Sequence, residues 1–244
     1  MLNYQVINPE KEKCLIFITG AGIGKWMWQH QINALDNKLI LFDLPGHGDN
    51  SHLDFTTIEE CVLNILEILD CEDIDKITFV GHSIGAQIIM HILEHHNGYV
   101  ENAVVISGLN KSMKWAVPLI SSTVSLSMPL IKKRWFSKLQ SKELSLPESM
   151  FENYYRDSLK ISKTTLANIL KENMTFRFKQ TDVKEDKITF IVGSKEKKIM
   201  LTSAKQNAEL IKGSHYICIE KTAHGIPYEA PEQLNDIIKK ILEN

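Results

Sequence analysis

The chain has 244 residues, a length that suits one α/β domain or two smaller ones. Its hydrophobic fraction of 43% excludes a disordered or fibrous chain, and its net charge of −2 offers no basic excess for binding nucleic acid. No C-x-x-C pair occurs, so we expect neither a zinc site nor a disulfide framework, and a reducing, cytoplasmic location fits. The four cysteines are Cys14, Cys61, Cys71 and Cys218.

The N-terminal segment and the longest uncharged stretch show no membrane pattern. Residues 1–13 are polar and lack the basic-then-apolar order of a secretory signal. Residues 115–131 contain Pro118, Pro129 and several hydroxyl side chains, whereas a bilayer span needs about 20 mostly apolar residues. We therefore expect no stable membrane insertion.

Short apolar runs alternate with stretches of helical periodicity. Several runs are apolar at consecutive positions, which is typical of strands covered on both faces. A capping box at Thr57 and Glu60 predicts one helix start, and Pro231 predicts the start of the last helix. The alternation indicates an α/β fold with a mostly parallel, doubly wound sheet. The predicted strands are 14–19, 39–43, 77–80, 103–106, 188–192 and 215–219.

The β-α alternation stops between residues 111 and 183. This segment has helix-like pieces, many aromatic residues and a basic cluster at residues 132–134. We predict a helical cap over one end of the sheet, with a core formed by residues 1–110 and 184–244. Most of the rings should form the cap's own core, and a buried cap helix should cover residues 115–131. Docking of that segment on a membrane surface is the alternative.

A G-x-S-x-G pattern at residues 81–85 follows a predicted strand and precedes a helical run. A nucleophile at such a corner needs a strained, tight turn, and glycines two residues before and after it allow the close backbone approach. The pattern predicts Ser83 as a nucleophile. A structural glycine-serine turn is the alternative.

A serine nucleophile needs a base, and nine histidines compete for that role. His224 follows the predicted strand 215–219 and precedes the last helix, so it lies at the strand end where it can reach Ser83. We predict His224 as the base. His47 lies in a glycine-rich turn and should be structural, and a solvated helix face explains His91 and His95 better than a metal site does.

An acid must orient the base, and Glu196 directly follows the strand 188–192. Its position gives the chain order serine, acid, histidine. Asp43 and Glu220 also follow strands and remain alternatives. Three acids precede the strand and should lie at the opposite sheet edge: Asp182, Glu185 and Asp186.

Two backbone amides should stabilise an oxyanion in such a site. Ile84 follows the nucleophile and supplies one. Ala21 lies in the glycine-rich loop 19–24 and is the best candidate for the second. A dinucleotide or phosphate loop at the same glycines is a weaker interpretation, since Lys25 stands where the dinucleotide fingerprint needs its third glycine.

These motifs resemble the α/β-hydrolase superfamily in its capped, single-domain bacterial form. The family's Asp-x-x-Gly-x-Gly turn matches residues 43–48, and its final histidine matches His224. Two positions differ, because Thr19 replaces the usual histidine before Gly20 and Glu196 stands where aspartate is usual. The resemblance implies a triad of Ser83, His224 and Glu196.

The implied function is a serine esterase that acts on a small carboxylic ester with an apolar group and needs neither metal nor organic cofactor. Thioester, lactone and carbon–carbon bond hydrolysis use the same machinery and stay open. A ligand-binding protein without turnover is the alternative of another class.

Overall fold

A seven-stranded sheet organises the computed structural model, which describes residues 1–179 and 187–243. The strand order is β1-β3-β2-β4-β5-β6-β7, and only β1 runs antiparallel to its neighbour. This arrangement confirms the predicted fold class. The strands are β1 (Tyr4–Ile7), β2 (Cys14–Ile18), β3 (Lys38–Phe42), β4 (Ile77–His82), β5 (Val100–Ile106), β6 (Ile188–Gly193) and β7 (His215–Ile219).

The six predicted strands are all present, with ends that shift by up to three residues. A seventh strand that was not predicted, β1, pairs with β3 at the sheet edge. Its residues are only partly buried. A short edge strand in a polar N-terminal segment lacks the continuous apolar run that marked the others.

Helices cover both faces of the sheet, each over its own apolar cluster. The Thr57 hydroxyl accepts the Glu60 N–H at 3.1 Å, which confirms the predicted cap of the second helix. Pro231 opens the last helix as expected. The helices are α1 (Gln29–Ala34), α2 (Ile58–Cys71), α3 (Ile84–His95), α4 (Val117–Ile131), α5 (Arg134–Glu143), α6 (Phe151–Ser158), α7 (Lys163–Thr175), α8 (Lys198–Leu210), α9 (Ile226–Glu229) and α10 (Pro231–Glu243).

Helices α4 to α7 lie between β5 and β6, in the segment predicted to form a cap. The division into a core and a cap stays a prediction, because its boundary at 183/184 lies outside the described residues. The same holds for Asp182, Glu185 and Asp186. None of the helices in residues 1–179 and 187–243 combines the length and apolarity that a bilayer crossing requires.

The expectation of a buried α4 is wrong for half of the helix. One face, with Ile120, Val124 and Ile131, is buried, and α4 packs mainly against α7. The other face has no described helix over it, and Leu119 and Leu126 on it are exposed. A helix that packs on one side only can bury only one stripe.

The aromatic residues of this segment also differ in their burial. Phe151 and Tyr154 are buried, whereas Trp115 and Trp135 are exposed. Two further buried rings, Phe176 and Phe178, belong to the apolar cluster that also contains the buried apolar residues of α2 and α3. Four of the eight rings of the segment therefore lie outside a separate cap core.

Hydrogen bonds tie helices α6 and α7 to the residues around the sheet. On α7, the Thr165 hydroxyl accepts the Phe55 N–H at 3.1 Å and donates to Asp54 at 2.9 Å. On α6, the buried Asp157 carboxylate accepts the indole N–H of Trp26 at 2.7 Å. The inner helices α6 and α7 are thus attached by polar side chains as well as by apolar packing.

Candidate active site

Ser83 occupies a sharp corner between β4 and α3. Its backbone has φ 57° and ψ −113°, a conformation that a non-glycine residue adopts only when its surroundings enforce it. The Ser83 N–H donates to the Ile106 carbonyl at 2.9 Å. A Cβ at Gly85 would lie 2.4 Å from the Ile18 carbonyl oxygen, and one at Gly81 would lie 2.6 Å from the Gly85 oxygen. The two glycines of the motif are therefore required by close backbone packing.

Glu196 and His224 form a direct pair, with His224 Nδ1 2.8 Å from Glu196 Oε2. The other carboxylate oxygen accepts the Ser107 hydroxyl at 2.6 Å and the Gly193 N–H at 3.0 Å. The Glu196 side chain is 2% exposed and that of His224 is 24% exposed. A buried carboxylate with three donors is well satisfied, and it keeps the proton on Nδ1, so that Nε2 is free to accept.

The loop that carries His224 is held by a second glutamate. The Glu229 carboxylate accepts the Ala223 N–H at 2.9 Å and the Gly225 N–H at 3.0 Å, one on each side of His224. A Cβ at Gly193 would lie 2.4 Å from the Ala223 oxygen, so the loop also packs tightly on the end of β6. Sequence reasoning missed Glu229. Its spacing of five residues after the predicted base was the available indication.

His82, the residue before Ser83, contacts His224. Its Nε2 lies 2.7 Å from the His224 carbonyl oxygen, so Nε2 carries the proton and donates. The two rings lie 4.6 Å apart, and His82 is fully buried. Burial, with a smaller contribution from neighbouring His224, lowers the pKa of His82 to about 3. His82 is therefore neutral at ordinary pH, a role that the motif alone did not indicate.

The glycine-rich loop after β2 is positioned by His47. The His47 Nε2 accepts the Gly22 N–H at 2.9 Å, while Nδ1 lies 3.0 Å from the Pro45 carbonyl and donates to it. Burial lowers the pKa of His47, which favours this neutral state. His47 thus has the structural contacts expected of it, and they hold the loop that contains Ala21.

Of the two predicted oxyanion donors, Ile84 directly follows the nucleophile, and Ala21 follows Gly20, where a Cβ would lie 3.5 Å from the Ser83 Cβ. Ile84 is the first residue of α3, where backbone N–H groups have no acceptor within their own helix. Ala21 has no hydrogen-bond acceptor for its amide among the described residues. Both amides are therefore free to donate to a substrate oxygen. The oxyanion roles of Ala21 and Ile84 stay predictions.

The alternative acids have other surroundings. The Asp43 carboxylate accepts the Lys25 N–H at 2.6 Å and the Asp49 N–H at 2.9 Å, and it forms an ion pair with the Lys25 ammonium at 3.3 Å. Glu220 is exposed. Neither contacts His224, which pairs with Glu196. In the part of the chain that the structure describes, no cluster of three or more His, Cys, Asp or Glu residues forms a metal site.

Two cavities of about 400 Å³ each lie at this end of the sheet. The first is lined by Ser83, Glu196 and His224. The second is mainly apolar and is bounded by the Ala21 loop and the cap. Glu143 lines both, so the cavities adjoin. A hydroxyl, an imidazole oriented by a carboxylate and nearby free amides are the groups that acyl transfer requires.

Comparisons with known proteins agree with this geometry. The model of the alpha/beta hydrolase family matches residues 15–237. A 3-oxoadipate enol-lactonase of Acinetobacter baylyi is 33% identical over 86 residues, which cover 34% of this chain and 32% of that protein. A pimeloyl-(acyl-carrier protein) methyl ester esterase of Vibrio atlanticus is 29% identical over 99 residues, covering 40% and 37%. The match therefore spans about a third of the length of these curated relatives.

The whole fold also has counterparts among solved structures. MenH from S. aureus superposes with a TM-score of 0.80 at 20% identity, covering 100% of this chain and 98% of that one. At this identity the likeness concerns the fold. Because the family model spans most of the sequence, the chain belongs to the alpha/beta hydrolase family.

Proposed function

We propose that this protein is a serine hydrolase that cleaves a small carboxylic ester through an acyl-enzyme intermediate. The observation that carries the proposal is the buried Glu196 carboxylate 2.8 Å from His224 Nδ1, in a cavity that Ser83 also lines. A histidine held in this tautomer presents Nε2 as a base toward the cavity.

In the proposed reaction, His224 Nε2 takes the Ser83 proton while Ser83 Oγ attacks the ester carbonyl. The carbonyl oxygen becomes an oxyanion, to which the Ala21 and Ile84 amides donate. The C–O bond to the alcohol then breaks, and His224 returns the proton to the leaving oxygen. Water, activated by the same His224, hydrolyses the acyl-enzyme and releases the acid. Glu196 stays ionised and stabilises the imidazolium.

The apolar cavity supports an acyl group of modest size. Its volume of about 400 Å³ lies at the lower end of the range for small-molecule sites. It adjoins Ala21, so an acyl chain in it would leave the carbonyl near the proposed oxyanion donors. Its apolar lining comes from the cap and includes Ile131, Leu144, Tyr154, Ile161, Leu166, Ile169 and Leu170.

A lactone is the second candidate substrate. A lactone is a cyclic ester and needs the same nucleophile, base and oxyanion donors. The 33% identity to an enol-lactonase favours it over a thioester or a carbon–carbon bond.

The test is a substrate panel of p-nitrophenyl acetate to decanoate and γ- and δ-lactones, run on wild type and Ser83→Ala. We expect turnover of short or medium acyl esters, and a loss of at least about 10⁴-fold in kcat for Ser83→Ala with an unchanged melting temperature. If the lactones have the higher kcat/KM, the substrate assignment changes and the machinery does not. Turnover retained by Ser83→Ala would remove the nucleophile assignment.

Labelling with a fluorophosphonate separates catalysis from simple ligand binding. Mass spectrometry should place the adduct on Ser83 and not on Ser107, which lines the same cavity but donates to Glu196. Ser107 is therefore a matched control within the site. If wild type forms no adduct and turns over no substrate, the non-catalytic alternative is correct.

A further inference from the structure

The segment from residue 111 to residue 142 carries charge of one sign only. It contains seven cationic residues and no Asp or Glu, although the whole chain has a net charge of −2. Such a concentration of positive charge attracts an anionic partner. It does not stabilise the fold, because like charges repel each other. The seven are Lys111, Lys114, Lys132, Lys133, Arg134, Lys138 and Lys142.

Only two of these cations are neutralised in the described structure. Arg134 pairs with Glu152, and Lys138 pairs with Glu148 at 2.7 Å. Lys111, Lys114, Lys132, Lys133 and Lys142 are exposed, and no carboxylate of the described residues lies within ion-pair distance of them. The lysines at 114 and at 132–133 flank the two ends of α4.

Between those lysines, α4 presents an apolar ridge. Trp115, in the turn that leads into the helix, is 75% exposed, and Leu119, Leu126 and Leu130 are 57%, 74% and 38% exposed. The spacing of four, seven and four residues places them on one face of the helix. Over the 15 residues of α4, this face is about 22 Å long.

We propose that this outer face of α4 docks on an anionic lipid surface, as a reversible contact in the plane of the headgroups. An exposed tryptophan, a row of leucines and flanking unpaired lysines form the pattern of an interfacial amphipathic helix. The apolar residues protrude, and a protruding ridge can insert among acyl chains. In a symmetric dimer the same face would meet itself and bring the unpaired lysines together, which disfavours a second copy of this chain.

The contact has a consequence for access to the apolar cavity. Ile131, on the inner side of α4, lines that cavity. One helix therefore separates the cavity from the surface that we assign to lipid. The docking proposal does not rest on the proposed esterase function, because vesicle binding is measured without substrate.

The test is co-sedimentation of the full chain with large vesicles of phosphatidylcholine alone and of phosphatidylcholine with phosphatidylglycerol at equal amounts. We expect binding to the anionic vesicles, weakened by salt, and at least about tenfold less to the neutral ones. The triple variant Trp115→Ser/Leu119→Ser/Leu126→Ser should bind at least about tenfold more weakly. Leu63→Ser, at a leucine on α2 that is 48% exposed, should bind like wild type.

The lysines are tested separately. Lys132→Glu/Lys133→Glu should lose at least about tenfold in affinity for anionic vesicles, and Lys205→Glu/Lys212→Glu, at exposed positions outside the cap, should lose less than threefold. Thermal melting confirms that each variant is folded.

Three results would overturn the proposal. The first is binding that does not differ between the two vesicle types or that survives the triple substitution in a folded protein. The second is a dimer in light scattering that the triple variant dissociates, which would assign the ridge to a second copy. The third is no vesicle binding but salt-sensitive binding of poly-glutamate, which would assign the surface to an acidic protein.

Discussion

The carboxyl end of the sheet and the helical segment α4–α7, which is predicted to form a cap, are built by different means. At the sheet end, two groups of the proposed triad have several polar contacts: Glu196 has three donors, and the backbone around His224 is bonded to Glu229 and His82. In the helical segment α4–α7, helices α6 and α7 make hydrogen bonds to the sheet domain, whereas the outer face of α4 is exposed. The comparison indicates that the proposed chemistry is placed where polar contacts are dense, while the proposed lipid contact is placed where they are few.

After Ser83→Ala, the largest effect should come from Glu196→Gln at the carboxyl end of the sheet. The amide cannot hold the Nδ1 proton as the carboxylate does, nor stabilise the imidazolium, so kcat should fall by about 10³- to 10⁴-fold with little change in KM. Steady-state kinetics on the best ester of the panel measures this. Asp43→Asn is the matched control, since Asp43 binds Lys25 and Asp49, and it should lose less than about tenfold. The reverse order would assign the acid to Asp43.

The sheet and the triad candidates were predictable because the information for them is local. Continuous apolar runs marked six strands, and a five-residue motif at a strand end marked Ser83. Glu196 and His224 could be placed because parallel strands bring their carboxyl ends to one edge. The position of a residue at a strand end does not fix its contacts, so the 2.8 Å contact between Glu196 and His224 could not be predicted.

The supporting residues were not predictable, because their roles depend on contacts between distant segments. His82 bonds to a carbonyl 142 residues away, and Ser107 bonds to a carboxylate 89 residues away. The sequence around His82 or Ser107 does not differ from the sequence around an ordinary buried residue. The exposure of α4 was also missed, since its apolar residues on both faces suggested burial and only the packing shows that one face is uncovered.

Acid should lower the free energy of unfolding through His82, which lies at the carboxyl end of the sheet. In the unfolded chain this histidine titrates near 6.5, whereas its pKa in the folded protein is about 3. Between these values the unfolded state binds a proton that the folded state does not, so the free energy of unfolding falls as pH falls, by about 1.4 kcal/mol per unit. From pH 7 to pH 5, His82 should account for about 2 kcal/mol of lost stability.

Urea denaturation of wild type and His82→Gln at pH 7 and pH 5 measures this contribution. Glutamine can still donate to the His224 carbonyl but does not titrate, so the difference between the two pH values should shrink by about 2 kcal/mol. His52→Gln, at an exposed histidine away from the site, is the control and should leave the difference unchanged. An equal pH dependence in wild type and His82→Gln would refute the buried neutral state of His82.

The smallest effect should come from the link between the sheet domain and the cap. Asp157→Ala leaves the Trp26 indole N–H without its partner, which should lower the free energy of unfolding by about 1–2 kcal/mol. Because α6 also carries Tyr154 of the apolar cavity, KM should rise severalfold while kcat changes little. A double-mutant cycle with Trp26→Phe should show coupling of at least about 0.5 kcal/mol. A loss confined to kcat would instead mean that this contact acts on the proposed triad, and the division between the two regions would not hold.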